Sequence, residues 1–145
     1  MKIALASDHG GYRYKESIKK FLTDRNIQFK DFGTDSTASC DYPDYIVPAA
    51  KSVAAGEYDY GVFVCGTGIG VSITANKIKG IRAALCHDAF SAKATRAHNN
   101  ANVITFGERV IGEGYMLEIL AAFLDVEFEG GRHQARIDKI SALED

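Results

Sequence analysis

Apolar positions along this chain alternate between two rhythms. Short dense runs rich in β-type residues predict strands, and stripes spaced three and four apart predict amphipathic helices. Lys2 to Ser7 is the first dense run. Tyr14, Ile18, Phe21 and Leu22 then form a helical stripe, with Lys15, Lys19 and Lys20 off it. Ile27 to Phe32 alternates apolar and polar as an edge strand does, and Gly33 ends it. Thr34 to Asp44 is a polar loop from which Pro43 opens a second helix as its first residue. Ile46, Ala49, Ala50 and Val53 carry that helix, Pro48 is tolerated in its first turn, and Gly56 closes it.

The third run, Tyr60 to Val64, ends on Cys65 and enters a loop with glycines at alternate positions, Gly66, Gly68 and Gly70. Ile69 to Ile78 reads as a short helix stopped by Gly80, and Arg82 to Cys86 as a strand. Asp88 to His98 reads as a helix with Phe90, Ala94 and Ala97 on one face, and Asn99-Asn100 ends it. Asn102 to Phe106 is a fifth strand, closed by Gly107. Met116, Ile119, Leu120 and Phe123 mark a fifth helix, and Glu129-Gly130-Gly131 leads to a basic C-terminal helix with Arg132, His133, Arg136 and Lys139. Five strand–helix alternations predict a three-layer α/β/α Rossmann-like sandwich, with a five-stranded parallel sheet and a C-terminal helix. No linker or repeat divides the chain, so residues 1–145 read as one domain.

Composition narrows the function without choosing it. A net charge of −2 with mixed signs speaks against nucleic acid and polybasic membrane contacts. No apolar run approaches the ~18 residues of a membrane span, and the N-terminus lacks the pattern of a signal peptide. Cys40, Cys65 and Cys86 are an odd set without C-x-x-C spacing, as in a reduced, cytoplasmic protein.

In an open parallel sheet, ligands bind beyond the carboxyl ends of the strands, where the strand order reverses. Asp8 and His9 follow the first strand, Cys65 to Gly70 the third, His87 and Asp88 the fourth, and Arg109 the fifth. The site is therefore expected between neighbouring strands one and three. The glycine loop opens a helix, so its N–H groups form either an anion-binding nest or simply a tight turn. It is no dinucleotide fingerprint, since position 71 is Val, and no P-loop, since no G-K-[ST] follows. Cys65 is either a small buried apolar residue or a nucleophile or base, because a helix N-terminus favours a thiolate. His98 is a chemical group or merely a partner of a helix C-terminus. The Cys and His spacings match no zinc pattern, so no metal is expected. Arg132 and Arg136, four apart on one helix face, form a solvated basic face or a phosphate clamp that Arg109 joins.

These residues together closely resemble the type B ribose-5-phosphate isomerases and their relatives for allose and galactose 6-phosphate. The resemblance rests on Asp8-His9, Asp41-Tyr42-Pro43, Cys65-Gly66-Thr67-Gly68-Ile69-Gly70, Ala75-Asn76-Lys77, Gly80-Ile81-Arg82-Ala83, His98-Asn99 with Asn102-Val103, and Gly130-Gly131-Arg132-His133. It implies an aldose–ketose isomerase without metal or cofactor, acting on a sugar phosphate at sites shared between subunits of a homo-oligomer. By matching positions, Cys65 is the base, and Thr67 with the N–H groups of Gly66, Gly68 and Gly70 stabilises the enediolate. Asp8 and His98 help open the sugar ring, and Tyr42 and Asn99 hold hydroxyls. His9, Arg109, Arg132 and Arg136 hold the phosphate. Some family members replace the cysteine by serine and use a glutamate four residues later. Here that position is Ile69, which leaves the cysteine route. A six-carbon sugar phosphate is the alternative substrate, and a non-catalytic binding module the alternative class.

Overall fold

The computed structural model describes residues 1–144. Five strands run parallel: β1 (Lys2–Ser7), β2 (Gln28–Asp31), β3 (Tyr60–Cys65), β4 (Ala83–Leu85) and β5 (Val103–Gly107). Their order is β2-β1-β3-β5-β4. The helices are α1 (Tyr12–Asp24), α2 (Tyr42–Ala54), α3 (Ile69–Asn76), α4 (Ala89–Asn99), α5 (Glu113–Leu124) and α6 (Arg132–Ser141). From β1 the chain winds outward to β2. It then crosses back over β1 to β3 and winds the other way, so the order reverses between β1 and β3.

Side-chain alternation along the strands sorts the core into two faces. Ile3, Leu5, Val62, Val64, Ile104 and Phe106 pack with Ile18 and Leu22 of α1, Ala92 of α4, and Met116, Ile119 and Leu120 of α5. Ala4, Ala6, Phe63 and Cys65 point the other way, toward Ile46, Ala49, Ala50 and Val53 of α2 and Val71 and Ala75 of α3. This parity aims Cys65 at the N-terminal turn of α3. Helix α6 packs along α4.

Several sequence expectations change in detail. His9–Gly11 is a 3₁₀ turn rather than loop, and α1 starts at Tyr12. Strand β4 is shorter than Arg82 to Cys86, and α3 ends at Asn76 rather than Ile78. Tyr42, not Pro43, opens α2. Pro48 lies inside α2, beyond its first turn. It faces solvent, where the carbonyl it leaves unpaired can meet water. Phe90 is 81% exposed, because the buried face of α4 keeps the expected Ala97 but otherwise runs through Ala92, Thr95 and Arg96. Lys15, read as off the apolar stripe, is fully buried, with Nζ 2.5 Å from Asp31 Oδ2. Burial pushes the Asp31 carboxyl up, but Lys15, the Gly33 N–H and Lys19 together outweigh it and hold the group below its ordinary value. Asp31 also accepts the Gly33 N–H at 2.8 Å, and Gly33 O accepts from Ser7 N–H at 2.7 Å. The pair of buried Lys15 and half-buried Asp31 thus anchors the end of β1.

Candidate active site

The loop after β3 is shaped by its contacts at both ends. Gly68 holds a left-handed backbone (φ 78°) as the N-cap of α3. Its N–H donates to Cys65 Sγ at 3.1 Å. Cys65 is 5% exposed, so its sulfur meets one backbone donor and a helix N-terminus at the edge of an open cleft. Thr67 Oγ1 accepts from Ile69 N–H at 3.3 Å. The first-turn N–H groups of a helix lack acceptors within it, which leaves those of Gly70 and Val71 able to meet an anion.

Strands β1 and β5 close the other sides. Asp8 N–H donates to Val64 O at 3.3 Å, and Asp8 Oδ1 accepts from Gly10 N–H at 2.8 Å, capping the 3₁₀ turn. Beyond β5, Glu108 N–H donates to Cys65 O and Arg109 N–H to Gly66 O, each at 3.0 Å. The Arg109 guanidinium lies over Gly66: a β-carbon there would stand 2.9 Å from Nη1. Tyr42, at the start of α2, sets its ring against Gly70. Asp8, Tyr42, Cys65, Gly66, Thr67, Gly70 and Arg109 thus line one cleft of about 430 Å³, with Ile69 and Ile73 on its rim.

Arg109 also borders a hollow of about 390 Å³ shared with His9, Arg13, Thr37 and Glu108. His9 Nδ1 accepts the Cys40 N–H at 3.2 Å, so the neutral ring carries its proton on Nε2. Burial pushes the Glu108 carboxyl up, against the Tyr14 N–H and the charges of Arg13 and Arg109. Arg13, Thr37 and Glu108 were not expected from the sequence. Glu108 stood beside Arg109, but nothing local shows that the first turn of α1 and the 34–41 loop meet it. Cys40 holds His9 through its backbone. Cys86 is a buried thiol pushed up to about 11 by burial, with Asp88 adding to it.

The remaining expected residues lie elsewhere. Helix α4 leaves the carboxyl end of β4 and runs back to the start of β5, so His98 and Asn99 sit at the opposite end of the sheet from Cys65. The six residues of β3 separate the ends by roughly 16 Å. Arg132 and Arg136 are exposed on α6 beside α4. Within one chain, Arg109 lies at the Cys65 mouth, whereas Arg132 and Arg136 lie on α6 beside α4. Asn99 lines a separate hollow of about 540 Å³ with Arg82, Ile140 and Leu143.

His98 stacks on His133, with ring centroids 4.4 Å and planes 14° apart. Glu129 completes a trio whose donor atoms lie within 4.8 Å of one another. Near-parallel stacked rings cannot both point their in-plane lone pairs at one ion, so this trio gathers metal-type ligands without converging them. His87 is structural: Nε2 accepts Gly107 N–H at 3.1 Å, and burial holds the ring below its ordinary value while Asp88 opposes.

A doubly wound parallel sheet with a thiol, an aspartate and a helix-opening glycine loop gathered at its switch point defines a Rossmann-like α/β protein with a candidate site there. The chain belongs to the ribose/galactose isomerase family, whose sequence profile matches residues 3–140. It is 46% identical to ribose-5-phosphate isomerase B of Escherichia coli over 143 residues, covering 99% of this chain and 96% of the relative. Ribose-5-phosphate isomerase B of Clostridium thermocellum superposes with a TM-score of 0.98 at 48% identity, covering 99% and 97% of the two chains. The Mycoplasma genitalium enzyme with bound ribulose-5-phosphate gives 0.95 at 40% identity, covering 99% and 95%. No helix among the described residues is long and apolar enough to cross a membrane.

Proposed function

We propose that this protein is an aldose–ketose isomerase interconverting ribose 5-phosphate and ribulose 5-phosphate, with each active site formed between two copies of the chain. The observation that carries the reading is the cleft at the β1/β3 switch point. It holds a near-buried Cys65, a loop of N–H donors and Asp8 within one wall. The family membership and the relative bound to ribulose-5-phosphate support it.

Moving a hydrogen between C1 and C2 needs a base beside the carbonyl carbon and donors where negative charge grows. In the open-chain aldose, Cys65 removes the C2 proton as the electrons move onto O1. The resulting enediolate is held by Thr67 and the N–H groups of the Gly66 to Gly70 loop. The O2 hydroxyl proton passes to O1, Cys65 returns its proton to C1, and the electrons left on O2 complete the C2 carbonyl of the ketose. Ile69, half exposed on the cleft rim, offers no carboxylate to replace the thiol. His9 and Arg109 meet the phosphate from one chain, while Arg132 and Arg136 of the partner subunit close over it. Binding energy from this remote group fixes the reacting carbons. Tyr42 and the partner subunit's Asn99 hold hydroxyls. Asp8 and the partner subunit's His98 open the furanose. A second copy is required by the reading because these groups lie at opposite ends of one chain.

Cys65→Ala tests it. The variant is expected to bind ribose 5-phosphate in calorimetry and to lose isomerase activity by about 10²-fold or more. Full activity would overturn the mechanism. Comparing kcat/KM for ribose 5-phosphate and allose 6-phosphate decides the substrate.

A further inference from the structure

His98 does not stand alone at its end of the molecule. Its ring is about half exposed, and it lies on the nearly buried ring of His133. Glu129 Oε2 is 3.8 Å from His98 Nε2 and 3.4 Å from His133 Nε2. The Glu129 backbone is held beside the histidine: its N–H donates to Ala97 O at 3.0 Å, next to His98. His133 N–H donates to Gly130 O at 3.2 Å, which starts α6 against the same turn. One carboxylate faces both Nε2 atoms and so fixes which edge of the His98 ring is turned toward it. It also leaves His98 Nδ1, which has no partner among the described residues, as the nitrogen free to meet a sugar.

Resting on the reading that His98 serves a partner's site, we propose that Glu129 is a positioning residue for ring opening. It orients the His98 ring on the His133 platform. In that step the partner subunit's His98 gives a proton from Nδ1 to the ring oxygen as the C1–O4 bond breaks. The anomeric hydroxyl gives its proton to Asp8, and its electron pair completes the C1 aldehyde. One proton is donated and one accepted, so the step balances without a co-reactant. Glu129 touches no substrate and acts only through His98.

The test separates ring opening from enediolate chemistry by using both sugars. Ribulose 5-phosphate has no free hydroxyl that can close a five-membered ring, so it reaches Cys65 already open. Its turnover is read in D₂O by NMR as loss of the C1–H signal, which counts enediolate formation whatever follows. Glu129 is exposed, so Glu129→Gln should fold with an unchanged melting temperature. We expect Glu129→Gln to lower kcat on ribose 5-phosphate about tenfold, well short of the ~10⁴ of a buried, hydrogen-bonded orienting carboxylate because Glu129 is exposed and 3.8 Å from His98, with KM unchanged. Glu129→Asp should recover part of the loss, and the C1–H rate with ribulose 5-phosphate should stay within about twofold of the parent. His98→Asn is the control and should show the same split, more severely. If His98→Asn loses ribose 5-phosphate turnover but Glu129→Gln does not, the role of Glu129 is refuted. Equal slowing on both sugars by Glu129→Gln refutes it too, as a general defect. Full ribose 5-phosphate turnover in His98→Asn overturns the underlying assignment of His98 instead.

Discussion

Gly66 and Gly68 stand two residues apart in the loop after β3, yet adding one methyl group to each should have opposite consequences. At Gly68 the backbone is left-handed, which costs an L-residue about 1–2 kcal/mol. The new β-carbon would also lie 2.6 Å from Leu85 Cδ1 and 2.7 Å from the carbonyl carbon of Phe106. The second contact is backbone in a central strand, which cannot step aside, and overpacking of this kind costs about 1–3 kcal/mol. Reduced freedom of the unfolded chain returns about 0.4–1 kcal/mol. Gly68→Ala should therefore destabilise by roughly 2–4 kcal/mol, a fall in Tm of about 6–12 °C for a chain of this size. At Gly66 the nearest atoms belong to the Arg109 guanidinium, with Nη1 at 2.9 Å and Cζ at 3.2 Å, and no positive φ is involved. A side-chain end can move, so Gly66→Ala should keep its Tm within about 2–3 °C. The displaced guanidinium should instead raise KM for ribose 5-phosphate. Losing about 1–2 kcal/mol of a charge-assisted contact gives roughly 5- to 30-fold. Scanning calorimetry and steady-state kinetics on the two variants check this. An unchanged Tm for Gly68→Ala would refute the packing argument, and an unchanged KM for Gly66→Ala would refute the phosphate role of Arg109.

Shared sites make Cys65→Ala and the Arg132→Ala/Arg136→Ala double variant complementary: mixed and refolded together, they should regain up to about a quarter of parental activity, because half the dimers are mixed and each has one intact site. No recovery by the mixture counts against a site built across two subunits. His87 gives a pH dependence of stability. Its folded-state affinity for protons is lowered, so below pH ~6.5 the unfolded chain binds more protons and stability falls with falling pH until the folded-state value is passed. Melting curves between pH 5 and 8 should show this slope (an expected range about the ordinary value of histidine), and His87→Gln should flatten it. Lys15→Met should destabilise by about 1–3 kcal/mol in urea denaturation, because it leaves Asp31 without its buried partner beside the β1 end. A neutral result would show that the pair does not anchor the end of β1.

The sheet, its parallel sense and the gathering of Asp8, Cys65 to Gly70 and Arg109 at one mouth are legible in the order of residues alone. The reason is local and topological. Periodicity reports which side of an element is buried, and right-handed crossovers leave the ends of all five strands on one side. The family resemblance added roles, residue by residue, which remain proposals to be tested. Tertiary structure decided what periodicity cannot carry. Lys15 is buried because Asp31, on a neighbouring strand, offers it a carboxylate. Phe90 is exposed because α4 is rotated to bury Arg96 beneath Tyr60 and Phe123. His98 meets His133 and Glu129 only once α6 has packed on α4. That same packing sends Arg132 and Arg136 to the far end from Cys65, because a helix following a parallel strand must run back along the whole sheet before the next strand begins. The distance across one chain is what makes a second copy part of the proposed site.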